Sequence, residues 1–188
     1  MESPEKIGTI KGENIIKEYG KLKINSLLEK KKHYNAADRK ECYNICLSIS
    51  IIILNLILGS YFLGLMVSST YLPLIWISAL LALIAVILAS IQLYCNFGEK
   101  VELHRNIGND YNDIVKRTSL ELSKFLDGFI DISTFYENFE NLMDEYKRLN
   151  EKAIKCPTNN SDYKKACQGI ENEEEDYSEK EKKLMGID

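Results

Sequence analysis

The middle of this chain lacks charge altogether. All 24 Lys and Arg residues and all 28 Asp and Glu residues lie outside positions 45–98. A soluble core needs no such long uncharged block, whereas a bilayer does, because ionised side chains are costly in the hydrocarbon layer. The sequence therefore predicts an integral membrane protein.

Other absences exclude other classes of protein. The five cysteines form no Cys-x-x-Cys pair, so no disulfide framework is indicated. The chain has no P-loop, Gly-x-Ser-x-Gly or His-Glu-x-x-His motif, and its two histidines are far apart in sequence. Glu99, Glu102 and His104 form no predicted metal site, since residues two apart point to different sides of a helix. We expect no enzyme, cofactor or metal.

The overall charge argues against nucleic acid as a direct partner. The net charge is −4 and the isoelectric point is near 5.4. A nucleic-acid-binding domain is expected to carry a basic face and a high isoelectric point. Nucleic acid is therefore not expected as a direct partner, and the lipid bilayer is.

Two apolar segments, at about 46–66 and 74–94, make up a predicted hairpin within residues 45–97. About 20 residues at a rise of about 1.5 Å each cross a hydrocarbon layer of about 30 Å. The connection 67–73 is short and uncharged. The predicted fold class is all-α: a two-span transmembrane hairpin with cytoplasmic coiled-coil-like helices.

The basic residues near the spans predict the orientation. Short cytoplasmic loops are enriched in Lys and Arg, and the connection between the spans has neither. Both termini are therefore expected in the cytoplasm. The basic residues concerned are Lys30, Lys31, Lys32, Arg39 and Lys40 before the first span, and Lys100 and Arg105 after the second.

Small and polar residues recur along the spans at helical spacing, which favours close helix contact. The candidates for helix contact or for lining a pore are Ser48, Asn55, Gly59, Ser60 and Gly64 in the first span, and Ser78, Ala82, Ala85, Ala89 and Gln92 in the second. An amide in the middle of the hydrocarbon layer needs a partner or water. For Asn55 two alternatives stay open: a hydrogen bond across the hairpin, or a water-filled pore in an oligomer. Gln92 could also reach the headgroups.

Helices are predicted on both sides of the hairpin. In residues 1–44, a helix runs on through Ala36 and Ala37 into the first span. Residues 98–155 form an arm of two helices with apolar stripes. We expect the arm to fold back on itself or on the N-terminal helix.

Two boundaries in the C-terminal part follow from local motifs. The second helix of the arm is predicted to start at Thr134, where Thr134-Phe-Tyr-Glu137 fits a capping box. Residues 156–188 are predicted to form an acidic, mobile tail with a short helix from Asp162 to Gly169.

Motifs on both sides of the hairpin resemble a known family. They are Tyr34-Asn-Ala-Ala-Asp-Arg39 before the first span, Glu102-Leu-His104 after the second, and Tyr111 seven residues further on. Together with the two spans, they resemble the SLATT family over roughly residues 13–155. The resemblance marks Glu102, His104 and Tyr111 as a cytoplasmic family motif.

The resemblance implies a function in bacterial antiviral defence. SLATT proteins are regarded as pore-forming effectors that depolarise or permeabilise the membrane of an infected cell, an abortive-infection outcome. It also implies a defence-system partner, such as a sensor, a nucleotidyltransferase or a reverse transcriptase. Because two helices enclose no lumen, a pore would require a homo-oligomer. The alternative is a non-conducting two-span scaffold or regulatory subunit that recruits a cytoplasmic partner through its arm.

The membrane prediction has a direct test. We expect the expressed chain to sediment with membranes during ultracentrifugation of a detergent-free lysate, because residues 45–98 require a lipid surrounding. Detergent should then release it. A folded, monodisperse product in the detergent-free supernatant would contradict the two spans.

Overall fold

The computed structural model describes residues 12–67 and 75–172, and the described residues form helices without strands. About 92% of the described residues are helical, which confirms the all-α class. The helices are α1 (Glu13–Val67), α2 (Ile75–Cys95), α3 (Phe97–Leu126), α4 (Ile132–Ile154) and α5 (Asn160–Glu171). They form two units: the hairpin unit, Ala36–Leu103, and the helical unit, made of the described residues up to Asn35 and from His104 onwards.

The first helix confirms the prediction of a helix that continues into the span. α1 runs from Glu13 to Val67 with no break, and no proline occurs in it. An α-helix bonds every interior backbone N–H to a carbonyl four residues earlier, so it can cross the hydrocarbon layer without unpaired groups. Most of the predicted connection 67–73 lies outside the described residues.

The spans expose most of their apolar side chains. Only 6% and 11% of the most apolar stretches of the two spans are buried within the chain. Leu63 is 67% exposed and Val86 is 62% exposed. A core helix of a soluble protein would be mostly buried, so these side chains require a lipid surrounding. The chain is a membrane protein.

In the helical unit, α1 and α4 both lie antiparallel to α3. Side-chain contacts between α3 and α4 join residue numbers that rise on one helix and fall on the other: Asp110 with Lys152, Arg117 with Glu145, Glu121 with Asn138, and Phe125 with Phe135. Towards α1, a Cβ atom at Gly12, just before that helix, would lie 3.3 Å from the ring of Phe125 near the end of α3, whereas His33, further along α1, meets His104 near the start of α3. The arm therefore folds back on itself, with α4 against α3, and it also packs on the N-terminal helix α1.

An aromatic stack forms the core at one end of this unit. The ring of Phe135 lies 4.2 Å from the ring centroid of Tyr19 and 4.2 Å from that of Phe125, nearly parallel to both. Tyr19 also donates a 2.9 Å hydrogen bond to the Phe135 carbonyl. Both Tyr19 and Phe135 are fully buried, and burial raises the pKa of the Tyr19 phenol.

The start of α4 differs from the prediction. The helix begins at Ile132, and its N-cap is Asp131, whose carboxylate accepts from the Thr134 N–H at 3.0 Å. Thr134 is therefore inside the helix, and the predicted capping box with Glu137 is wrong. Asp can serve as an N-cap just as Thr can, and an aspartate also interacts favourably with the positive end of the helix dipole.

α5 extends beyond the predicted helix Asp162–Gly169 at both ends. Asn159 caps it, and Asn159 and Asp162 exchange reciprocal hydrogen bonds of 2.9 Å, which form a capping box. Asn35 donates to the Asp162 carbonyl oxygen at 3.1 Å. Because Asp162 and Ala166 are buried, this helix is packed into the helical unit and is not a solvated tail. The rest of the predicted tail, from 173 onwards, lies outside the described residues.

The aromatic stack provides a stability test. Phe135→Ala should lower the stability of the helical unit by about 3–5 kcal/mol, because it leaves a cavity between two rings. Phe129→Ala is the matched control: Phe129 is 79% exposed, and its loss should change stability by less than about 0.5 kcal/mol. Thermal unfolding in detergent, followed by circular dichroism, measures both. Equal effects would contradict the assignment of Phe135 to the core.

Candidate functional site

The small residues of α2 lie mainly in the seam of the hairpin. Ser78 and Ala85 are buried, at 6% and 7% exposure, while Ala82 is half-buried and Ala89 is exposed. On α1, Leu58 is buried in the same unit. Small side chains allow two helix backbones to approach closely in a membrane. This stripe therefore serves packing within one hairpin.

Gln92 makes the polar contact across the hairpin. Its amide nitrogen lies 2.6 Å from Ser48 Oγ and 3.0 Å from Asn44 Oδ1, so both predicted residues Ser48 and Gln92 belong to one hydrogen-bonded cluster. Beside it is a cavity of about 470 Å³ lined by Asn44, Gln92 and Asn96, among others. A bond across the hairpin was one of the two alternatives for Asn55, and in the structure Gln92 makes such a bond.

Asn55 is directed outwards and bonds within its own helix. Its amide nitrogen donates to the Ile51 carbonyl at 2.9 Å, and the side chain is exposed. Ser60 likewise donates to Leu56 and is exposed, as is Gly59, while Gly64 is half-buried. A serine hydroxyl has one hydrogen to donate, whereas an amide has two and a carbonyl oxygen besides. Asn55 therefore presents hydrogen-bonding groups on the outside of the hairpin.

The predicted family motif is organised around His33 in the helical unit. His104 is fully buried, and its Nδ1 lies 3.0 Å from Nδ1 of His33, which is 2% exposed. The Tyr111 ring centroid lies 5.9 Å from that of His33, and the Tyr111 hydroxyl donates to Asn150 Oδ1 at 2.7 Å. Seven residues are about two helical turns, so His104 and Tyr111 share one face of α3 and both contact His33.

The two histidines share a hydrogen. At 3.0 Å between Nδ1 atoms, one nitrogen must carry a hydrogen and the other must accept it. Burial, the neighbouring His104 and then Lys32 lower the pKa of His33 to about 4, although Asp162 acts in the opposite direction. His33 is therefore neutral at pH 7. Glu102, by contrast, is exposed.

Gly108 allows α1 and α3 to approach closely beside this pair. A Cβ atom at Gly108 would lie 2.9 Å from a ring carbon of Tyr34, which is closer than such atoms pack. Tyr34 also donates to Asn109 Oδ1 at 2.6 Å. No local sequence pattern pairs His33 with His104, because 71 positions separate them, so the role of His33 could not be predicted.

Within the described residues, no group of three or more His, Cys, Asp or Glu side chains could hold a metal ion. A shallow cavity of about 400 Å³ lies between α3 and α4, with Ile114 and Leu149 between charged residues such as Asp110 and Arg148. Its charges are of both signs, so it indicates no particular ligand.

Two exposed apolar helices and a compact helical unit define an all-α domain with two membrane spans. The family model of the SMODS and SLOG-associating 2TM effector domain, family 4, matches residues 13–182, and the chain belongs to this family. This confirms the SLATT resemblance and makes the chain a membrane effector of a conflict or defence system. No curated protein and no solved structure matches the chain significantly.

The close approach at Gly108 can be tested by adding one methyl group. Gly108→Ala should destabilise the helical unit by about 1–3 kcal/mol, since the Tyr34 ring must move. Gly20→Ala is the matched control: it adds the same methyl group in a helix with nothing within 4 Å, and should be neutral or stabilising. Thermal unfolding in detergent compares them. A neutral Gly108→Ala would contradict the tight contact.

Proposed function

We propose that this chain is a pore-forming effector of antiviral defence, which oligomerises in the bacterial inner membrane and depolarises or permeabilises it. Family membership supports the effector role, because the family is described as a two-span effector domain. The observation that carries the pore is the exposed amide of Asn55, in the middle of a span whose exposed side chains are mostly apolar.

The packing of the helical unit supports an orientation with both flanks on one side. This unit combines residues before the hairpin with residues after it, so both must lie on the same side of the bilayer. Lys and Arg are frequent next to the spans on that side, and the connection between the spans has none. By the positive-inside rule, we place both termini in the cytoplasm.

The need for several copies follows from the distribution of polar groups. Two helices enclose no lumen, and the stripe of α2 is already used within one hairpin, where Ser78 and Ala85 are buried. Asn55 and Gly59 are left exposed on the outside of α1. In an oligomer, this edge would meet another copy or water, either of which satisfies an amide better than lipid does.

We propose that the chain acts without catalysis and responds to a partner of its defence system. Its family associates with SMODS and SLOG, so a protein containing one of these is the partner that we propose. The effect on an infected cell would then be electrical, through loss of the membrane potential.

The decisive variant is Asn55→Leu. In cells that express the chain under an inducible promoter, depolarisation measured with a voltage-sensitive dye should fall at least about tenfold, because leucine cannot bond to water or to an amide. Amount and membrane insertion should not change. Ser90→Ala is the matched control, since Ser90 is exposed but returns its hydroxyl to the Val86 carbonyl of its own helix.

Two outcomes would overturn this proposal. Crosslinking in membranes that gives monomers only, even after triggering, would remove the oligomer. An intact membrane potential during expression and phage challenge would favour the alternative, a non-conducting scaffold that recruits its partner through the helical unit.

A further inference from the structure

The buried histidine pair lies at a notable position in the chain. His33 is near the last residue of the helical unit before the hairpin, Asn35, and His104 is the first residue of that unit after it. The pair therefore joins the helix that enters the first span to the helix that leaves the second. Tyr34 and Gly108 make the next contact between the same two helices.

The geometry allows this contact in two protonation states and forbids it in the third. When both rings are neutral, or when one ring is a cation, a single hydrogen lies between the Nδ1 atoms. When both rings are cations, two N–H groups face each other across 3.0 Å, with ring centroids 5.1 Å apart in a buried site. A separation of 3.0 Å leaves no room for an acceptor or a water molecule between the two charges, so the contact must open.

We propose that the His33–His104 pair is a proton-sensitive latch, which holds α1 to α3 in the neutral cytoplasm and opens on acidification, thereby favouring the conducting state. Only the coupling of the latch to the conducting state rests on the proposed pore function. The latch itself is a property of the helical unit and can be tested without any conductance.

The charged and titratable groups around His33 come from each helix packed against it. On α1 itself, Lys32 is paired with Glu29 at 2.7 Å, so its repulsion of a protonated His33 is partly balanced. From α3 come His104 and Tyr111, and α4 contributes Tyr146, whose ring centroid is 6.0 Å from that of Tyr111.

From α5 comes Asp162, which favours the cation. Its carboxylate also accepts the capping hydrogen bond from the Asn159 N–H. The carboxylate of Asp162 thus raises the pKa of His33, but burial, His104 and Lys32 lower it by more, so His33 is neutral at pH 7.

The direction of the pH effect follows from proton linkage. The pKa of His33 falls from 6.5 to about 4 in the folded chain. Above pH 6.5 the imidazole is neutral whether folded or unfolded, so the packing carries no penalty. As the pH falls from 6.5 towards 4, the unfolded or opened state binds a proton that the packed state does not, and the packing weakens.

Histidine-selective nitrogen labelling tests the latch directly, because the chain contains only two histidines. In detergent or nanodiscs at pH 7.5, the imidazole spectrum should show one ring with its hydrogen on Nδ1 and the other with its hydrogen on Nε2. The ring of His33 should take up its proton only well below pH 6.5. Two rings that titrate independently near pH 6.5 would overturn the proposal.

Hydrogen exchange tests whether acid separates the helices. Backbone protection around residues 29–35 should fall at pH 4.5 in the wild type at least about tenfold more than in His33→Gln at the same pH. The glutamine keeps a hydrogen-bonding side chain but cannot be protonated. Equal protection in the two proteins at pH 4.5 would overturn the latch.

Proteoliposomes separate the latch from the pore. With equal pH on both sides, release of a trapped ion should rise at least about tenfold between pH 7.5 and pH 4.5 for the wild type and stay flat for His33→Gln. Identical pH dependence in both would overturn the coupling. No release from wild-type liposomes at any pH would overturn the proposed pore function, while the spectra and the exchange data would still decide the latch.

Discussion

Polar groups inside a bilayer have no water to bond with, and this constraint shapes the hairpin unit. The helix satisfies the backbone, and Ser50, Ser60 and Ser90 each return a hydroxyl to a carbonyl of their own helix. Gln92 finds two partners across the hairpin. Asn55 is different, because an amide has more hydrogen-bonding capacity than one helix carbonyl can satisfy. Asn55 therefore keeps hydrogen-bonding capacity that its own helix does not use.

The helical unit obeys a related rule with a different result. Its interior holds several polar contacts between helices: the histidine pair, the bond from Tyr111 to Asn150, and the hydroxyl of Tyr19 on the Phe135 carbonyl. Apolar stripes alone would tolerate several alignments of three helices, whereas a buried polar group bonds well in one alignment only. These contacts consequently define the register at which α1, α3 and α4 pack.

Much of the architecture could be predicted from the sequence because its signals are periodic. The uncharged block predicted both spans, and the apolar stripe predicted for the second helix of the arm is present on α4, where Phe135, Leu142 and Leu149 are buried. The sequence identified the family motif through His104 and Tyr111, but it did not predict the structural role of these residues. Spacing shows that these two residues share a face of α3, but it cannot show that His33, on α1, contacts both of them.

Local signals with several equivalent solutions were harder to interpret. The predicted cap, Thr134, lies inside α4, and the structure uses Asp131 three residues earlier, because either side chain can cap a helix. For the amides of the spans, the sequence could say that a partner was needed but not which amide would find it. Gln92 bonds across the hairpin because Ser48 and Asn44 lie opposite it, whereas Asn55 faces away from the seam.

The helical unit is assembled from two stretches of chain separated by the whole hairpin. During synthesis, the inward face of the first stretch, with Ile15, Tyr19 and Leu22, emerges from the ribosome long before its partners on α3 and α4 exist. Those partners arrive only after both spans have been made, and only if the chain has returned to its starting side. The helical unit can therefore form only in a copy whose two spans have inserted correctly.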